Sequence, residues 1–409
     1  MPKSYRGELF MHRTYINLSC IFVLVLIIFS GGIGRAVEKQ TVNQSADSAI
    51  TDSAAVPAAA DSVADTNLVN YNDGPHVYWH NDTTAIIIYL CDSVLDKFEI
   101  VARDTLRFYG LCWDGETEYK IPIGEHHIPP YEYQNVPKIF AISDIHGEYE
   151  SLVDILINAG IIDDDLKWSW GEGHLVFDGD IFDRGDKVTE CLWLIYRLEQ
   201  EAMQAGGAVH YILGNHELMV LRGDNRYVNE KYLDGIVRRT RIKHEDIYGP
   251  DMELGRWLRS KNTVEKINDL LFVHGGLSPY ISEKDYSLQD INNMVRRSFD
   301  LRSSRLAFDS EAQLLSKGKG PFWYRGYFYE MEDDYPQIAG PELDSILHKY
   351  SADAIVVGHT EVDSVSAFYD NRIYCIDVSL EDLGHYQALL WEDGIFYRVD
   401  GDGELRPMK

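Results

Sequence analysis

The sequence predicts an α/β protein of layered sheets and helices, preceded by a small all-β module, and three observations lead there. From residue 138 onward, apolar strand-like runs alternate with polar loops and helix-like stretches, the rhythm of sheets covered by helices. Residues 71–137 replace that rhythm with short β-branched and aromatic runs separated by Asp and Gly turns. The 409 residues, 45% hydrophobic and 25% charged, supply a sizeable core and exclude a disordered chain, a fibre or a polytopic membrane protein.

Taken in order, the elements begin with an address. Lys3, Arg6 and Arg13 precede the apolar run IFVLVLIIF at residues 21–29, and small residues follow at Ser30, Gly31, Gly32, Gly34 and Ala36. A basic start, a short apolar stretch and a small-residue exit read as a secretory signal peptide over residues 1–36. An uncleaved anchor is the competing reading, but the run falls well short of the ~20 residues that a spanning helix needs. The expected location is exported, in the periplasm. Residues 37–70, rich in Ala, Ser, Asp and Thr, read as a flexible linker.

Within the β-rich module at 71–137, AIIIYL (85–90), KFEIVA (97–102) and TLRFYGLCW (105–113) have strand composition. Its aromatics, Tyr78, Trp79, Tyr89, Phe108, Tyr109 and Trp113, fit either a small core or a carbohydrate- or surface-binding face. Residues 138–409 form the third region. Its strands are KIFAIS (138–143), HLVF (174–177), VHYIL (209–213), LLFV (270–273), AIVV (354–357), RIYCIDV (372–378) and GIFYRV (394–399). Val188, Leu192, Ile195 and Leu198 recur at helical spacing ahead of Gly206 and Gly207. Ser287 and Asp290 offer a capping box for a helix carrying Ile291, Met294 and Val295. Segments 222–262 and 280–345 interrupt the series as insertions that rim or cap a site.

The 38 Lys and Arg against 66 Asp and Glu leave a net charge of −28. Such a surface repels nucleic acid and anionic lipid, yet it permits one local positive site for a small anion. Four cysteines lie beyond the signal segment: Cys91, Cys112, Cys191 and Cys375. Export permits disulfides, so Cys91 and Cys112, both in the β-rich module, either pair or remain buried thiols. No CxxC occurs, so a zinc ribbon or thioredoxin-type site has no support.

Five of the apolar strands run into metal-type or acid/base residues. These are Asp144 and His146, then Asp180, Asp183 and Arg184, then Asn215 and His216, then His274, and finally His359. Side chains grouped just past strand C-termini are where α/β folds place their sites. Two carboxylates (Asp144, Asp180), one amide (Asn215) and three imidazoles (His146, His274, His359) make a mixed oxygen and nitrogen donor set. That set suits Mn, Fe or Zn and has too many members for one four-coordinate structural zinc. It fits two adjacent metal ions that share a bridging carboxylate, an arrangement that generates hydroxide and clamps the oxygens of an in-line displacement. Arg184 can grip phosphate oxygens with its planar fork, and His216 can protonate a leaving alkoxide.

Together, SDIHG, GDIFDRG, GNHE, HGG and GHT resemble the motif set of the calcineurin-like metallophosphoesterases, and within them the phosphoprotein phosphatases. GNHELMVLRGDNRYV at 214–228 is similar to the Shewanella-like phosphatase branch. The resemblance spans residue 138 to the C-terminus and implies a β-sandwich flanked by helices with a dinuclear centre at its edge. It implies that one metal takes Asp144, His146 and Asp180, and that the second shares Asp180 and adds Asn215, His274 and His359. It further implies His216 as general acid oriented by Asp183, with Arg184 on the phosphate and a second phosphate-binding arginine, for which Arg325 is the candidate. Glu361 stands where many metallophosphoesterases carry a second histidine, a departure that phosphoprotein phosphatases share and that weighs against nuclease and purple-acid-type branches.

The expected reaction is direct attack of a metal-bridging hydroxide on a phosphomonoester, with phosphoprotein or phosphopeptide as substrate and no phosphoenzyme. Two other readings share these residues: a diadenosine polyphosphate hydrolase or other small-molecule phosphoesterase, and a non-enzymatic phosphate-binding module.

Overall fold

A run of apolar residues with no polar alternation is a strand buried on both faces, and the central strands here satisfy that rule residue by residue. The computed structural model describes residues 70–110, 112, 114–124, 126–301, 310–330, 335, 337–378 and 386–408. The expected signal peptide, the linker as far as residue 69, and Trp113 lie outside these residues.

The N-terminal strands β1 (Asp73–Trp79), β2 (Thr84–Cys91) and β3 (Val94–Val101) form an antiparallel sheet, and β4 (Thr105–Gly110) pairs with β5 (Asp114–Pro122). The expected strand 105–113 stops at Gly110, where the register with β5 shifts and the chain turns so that Cys112 bonds Cys91. Cys191 and Cys375 are free and buried.

Two six-stranded sheets follow. One has the order β17 (Leu405–Pro407), β16 (Ile395–Asp400), β15 (Gln387–Glu392), β7 (Lys138–Ile142), β8 (His174–Asp178) and β9 (Ala208–Ile212). The other runs β13 (Ser366–Phe368), β14 (Ile373–Cys375), β12 (Ala354–Val357), β11 (Leu270–Phe272), β10 (Glu265–Ile267) and β6 (Glu132–Tyr133). The strand expected at 372–378 is shorter: it ends at Cys375, beyond which the Ile376 N–H reaches the Val357 carbonyl and Val378 forms an isolated parallel bridge with Val362. The pair at 132–133 falls by composition within the N-terminal module, yet it hydrogen-bonds in parallel with β10.

Alternate residues of each central strand enter different cores, as the two-residue period of a pleated strand requires. Ile139, Ala141, Val176, Ile212, Leu270, Phe272, Val356 and Tyr374 fill the layer between the sheets. Their neighbours Phe140, Ile142, Leu175, Phe177, Tyr211, Leu271, Ile355 and Ile373 belong to the core shared with the helices and the N-terminal strands. Strands β7, β8 and β9 are parallel, which requires crossovers; α1 (Tyr149–Asn158) and α2 (Val188–Gln204) supply them. The helix expected near Ser287 runs Leu288–Ser298 with the Ser287–Asp290 capping box formed.

The N-terminal strands press onto α2. Trp193 meets the rings of Phe108 and Tyr119 at 5.3 and 5.2 Å and donates to the Pro75 carbonyl at 2.8 Å. Trp79, Tyr89 and Phe108 are buried, whereas Tyr109 is exposed. Among the described residues, no helix is long and apolar enough to cross a membrane.

Candidate dinuclear metal centre

Each motif emerges from a strand that the sandwich fixes. Five consecutive turns, after β7, β8, β9, β11 and β12, deliver Asp144/His146, Asp180/Asp183/Arg184, Asn215/His216, His274 and His359 to one edge. The turns are tied to one another by backbone bonds. Asp144 N donates to Gly179 O at 3.1 Å, His146 N to Asp180 O at 2.9 Å, and Gly358 N to His274 O at 2.9 Å. The packing leaves no room for side chains at the turn glycines: a Cβ on Gly179 would sit 2.6 Å from His274 Nδ1. Asp144, His146, Asp180, Asp183, Arg184 and His359 all adopt left-handed backbone conformations, with φ between 49° and 71°. Such conformations are unfavourable for non-glycine residues and persist only where the surroundings impose them, commonly at functional sites.

The donor atoms converge. Ligand atoms of His146, Asp180 and His216 lie within 4.8 Å of one another, as do those of Asp180, His274 and His359. Asp180 therefore stands in both groups. His274 Nδ1 donates to the Asp178 carbonyl at 2.7 Å, which turns its Nε2 toward Asn215 Oδ1 at 3.0 Å and Asp180 Oδ2 at 3.1 Å. His146 Nδ1 donates to the Phe182 carbonyl at 2.7 Å, leaving Nε2 buried and without a partner. Backbone bonds of this kind fix the tautomer that presents a lone pair to a metal. Asp144 places Oδ1 3.8 Å from His146 Nε2, while its Oδ2 receives Ser143 Oγ at 2.5 Å and the His359 N–H at 3.1 Å. His359 Nε2 is also buried without a partner.

Electrostatics point the same way. Burial lowers the His146 imidazole to about 3. Burial, with the charges of His274 and Arg325 beside it, holds His359 well below its ordinary value. Both rings are thus neutral acceptors facing the centre. Burial also raises the Asp144 carboxyl; it would raise Asp180 too, but the charges of His274 and His216 outweigh it and hold that carboxyl well below the usual range. Lone pairs and carboxylate oxygens that converge in a buried pocket call for positive charge, and this donor set fits two divalent cations.

The residues expected to handle protons and phosphate stand around these donors. Asp183 Oδ2 lies 2.6 Å from His216 Nδ1, and His216 Nε2 faces the centre, 3.8 Å from Asp180 Oδ2. Burial would lower His216, but Asp180's charge and the Asp183 bond outweigh it and raise the ring above its ordinary value. Arg325 reaches the opposite side, with Nη2 3.5 Å from His359 Nδ1. Arg184 sits on the exposed side of its turn, anchored by its N–H to Tyr227 O.

Three residues escape a motif reading. Glu217, fully buried, accepts the N–H groups of Asp180 at 2.9 Å, Ile181 at 2.8 Å and Gly214 at 2.6 Å, plus the Tyr211 hydroxyl at 3.0 Å. It splices the second and third turns together; its signal was the acid that follows His216 in GNHE. Tyr227 packs with its ring tilted 48° against that of His216 at 5.3 Å, and Trp323 sets its ring edge-on to His359 at 5.5 Å. Both come from the inserted segments.

Comparison with known proteins bears on this geometry. Residues 137–363 match the model of the calcineurin-like phosphoesterases. The chain belongs to that family. A Shewanella-like protein phosphatase 1 from Plasmodium berghei is 31% identical over 266 residues, covering 62% of this chain and 71% of that protein. A Shewanella-like protein phosphatase 2 from Arabidopsis thaliana is 29% identical over 302 residues, covering 63% and 75%. The crystal structure of a cold-active protein-tyrosine phosphatase from a psychrophilic Shewanella species superposes with a TM-score of 0.76 at 38% identity, covering 83% of this chain and 99% of that one. That share exceeds what residues 137–409 alone supply, so the similarity takes in N-terminal strands as well. Members of the calcineurin-like family work with a dinuclear divalent centre, and the His and Asp groups that could hold one stand here at the sandwich edge.

Proposed function

We propose that this chain is a metal-dependent phosphomonoesterase acting on phosphorylated protein. The observation that carries the reading is the position of Asp180, which stands in one donor group with His146 and His216 and in another with His274 and His359; Asp144 lies beside the first at 3.8 Å from His146 Nε2 and Asn215 beside the second at 3.0 Å from His274 Nε2. Asp144, His146 and Asp180 would hold one cation, and Asp180, Asn215, His274 and His359 the other. When bound, the pair supplies Lewis-acid polarisation of the phosphate and an activated water. Arg184 and Arg325 flank the centre and grip the phosphate oxygens, fixing the phosphorus in line. Asp183 holds His216 by Nδ1, so that Nε2 delivers a proton to the departing oxygen.

The names of the relatives support a protein substrate, and that of the Shewanella enzyme makes phosphotyrosine the first to test. Manganese, iron and zinc all suit the donors. We also place the chain outside the cytoplasm, a reading supported by the basic and apolar start and by the Cys91–Cys112 disulfide; intact mass of the mature chain checks cleavage near residue 36.

The test of function is phosphate release by the metal-stripped chain resupplied with Mn, Fe or Zn. The panel holds phosphotyrosine and phosphoserine peptides, an aryl phosphate and a dinucleoside tetraphosphate. Metal-dependent turnover of a phosphopeptide above the others is the expected result. Turnover of the dinucleotide alone would contradict the protein-phosphatase reading.

A further inference from the structure

Beside the centre lies a cavity of about 500 Å³ that the proposed chemistry does not use. Its walls come from two segments that the site itself anchors. One follows Arg325: Phe328 and Tyr329 send their N–H groups back to the Arg325 carbonyl at 3.0 and 3.3 Å. The other follows His359 directly, with Thr360 and Glu361 in the wall. Phe328 and Phe368 meet edge to face at 5.1 Å. The Tyr369 hydroxyl donates to the Tyr327 carbonyl at 2.8 Å, which pins the aromatic wall in place. Thr360 is 4% exposed, yet its Oγ1 has no hydrogen-bond partner. Glu361, exposed at the rim, stands at the position where many metallophosphoesterases carry a second histidine.

We infer that this cavity is a specificity subsite that takes an apolar or aromatic side chain neighbouring the phosphorylated residue of a substrate polypeptide. The inference rests on the protein-phosphatase reading above and adds what that reading lacks, a means of choosing among phosphoproteins. The ring of a phosphotyrosine would itself meet Tyr227 and Trp323, which stand against His216 and His359. The cavity begins one residue farther out, at Thr360. An extended peptide advances ~3.3 Å per residue, so a side chain one or two residues along reaches it. Five aromatic rings favour a large apolar occupant. Glu361 and the net charge of −28 select against an acidic one.

The test compares kcat/KM of the Mn-loaded full chain on phosphotyrosine peptides with Phe, Ala or Glu at the two positions on either side, and on an aryl phosphate with no flanking residue. Phe at one of these positions should be favoured over Ala about tenfold, the scale of burying one large apolar side chain. Phe368→Ala and Tyr329→Ala should each abolish most of that preference and leave the aryl phosphate unchanged. Glu361→Lys should remove the discrimination against Glu. If phosphopeptides turn over with no flanking preference, the subsite is wrong and the phosphatase reading survives. Equal loss on peptides and aryl phosphate in the two aromatic variants also overturns the subsite, since the cavity would then serve the phosphorylated residue or the frame of the site. Turnover of the aryl phosphate with no phosphopeptide accepted overturns both.

Discussion

Two sets of buried carboxylates divide the molecule. Where the N-terminal strands meet α2, Asp73 accepts from Gly74 N, His76 Nε2 and Thr189 Oγ1 at 2.8, 2.9 and 2.7 Å. Nearby, Glu253 takes Trp79 Nε1, His126 Nε2 and Tyr196 OH at 2.6, 2.7 and 2.9 Å. Each of these carboxylates has found enough donors to offset its desolvation. At the sandwich edge, by contrast, the Nε2 atoms of His146 and His359 and one Asp183 oxygen are buried without partners, and Asp144 Oδ1 lies 3.8 Å from the orphaned His146 Nε2. The left-handed backbone of the site turns has no counterpart at Asp73 or Glu253. A satisfied polar network holds a fold together, and an unsatisfied, strained one is held by the fold for a ligand.

Substitutions can break that comparison, and the largest effect falls at the residue that belongs to both categories. Glu217 is a satisfied structural carboxylate inside the site. Glu217→Ala would strand the four buried N–H groups of Asp180, Ile181, Phe182 and Gly214, each costing about 1–3 kcal/mol. A loss of several kcal/mol in a denaturant melt is expected, with metal binding lost alongside; Glu217→Gln, which keeps one acceptor oxygen, should lose less.

His216→Ala strands the buried Asp183 carboxylate and should cost about 1–3 kcal/mol of stability, while lowering kcat on an alkyl phosphate about 10²–10⁴-fold, the range of general acid catalysis. The loss on an aryl phosphate, whose leaving group needs little proton assistance, should be smaller. Equal losses on both substrates would remove His216 from the proton-transfer role.

The N-terminal region should behave in the opposite way. Cys91→Ser opens a link across 21 residues and should lower stability by about 3 kcal/mol, with kcat on an aryl phosphate unchanged. Glu253→Gln should lower stability by about 1–2 kcal/mol, again without loss of kcat. A fall in kcat larger than the fall in stability would give this region a catalytic role.

The smallest effect is in pH dependence. Burial would raise Glu253, but hydrogen bonds from His126, Trp79 and Tyr196 outweigh it and set the carboxyl below its ordinary value. A lowered carboxyl contributes stability above its unfolded value of about 4.3 and loses it as the pH falls toward the folded value. The stability gap between wild type and Glu253→Gln should therefore be full at pH 7 and shrink below about pH 4.5. A gap that widens on acidification would contradict the assignment.

The site strands were legible because burial on both faces writes an uninterrupted apolar run, and each run ends directly in its ligands. All ten residues singled out by sequence lie on or beside one edge. The short strands β6, β10 and β13, of two or three residues, are too brief for any period to show. Equally hidden was the attachment of the N-terminal strands, which depends on partners as remote as Trp79 and Glu253, 174 residues apart. The segment 222–262, read as an insertion over the site, also places Tyr232, Trp257 and Leu258 in the core, because its apolar residues face α2 and the N-terminal strands rather than solvent. Glu217 was visible as a letter in a motif, but its work is to accept backbone N–H groups from another turn, and composition records no backbone geometry.

On the proposed reading Asp180 would be shared by the two cations of one catalytic centre. Metal content by elemental analysis, measured with phosphate release on the same preparations of wild type and Asp180→Asn, tests it most directly. Two metal ions per wild-type chain are expected, with at least one lost in Asp180→Asn and turnover down by about 10³-fold or more, the several kcal/mol that metal-ion catalysis supplies. An Asp180→Asn chain that keeps two ions and wild-type turnover would contradict it.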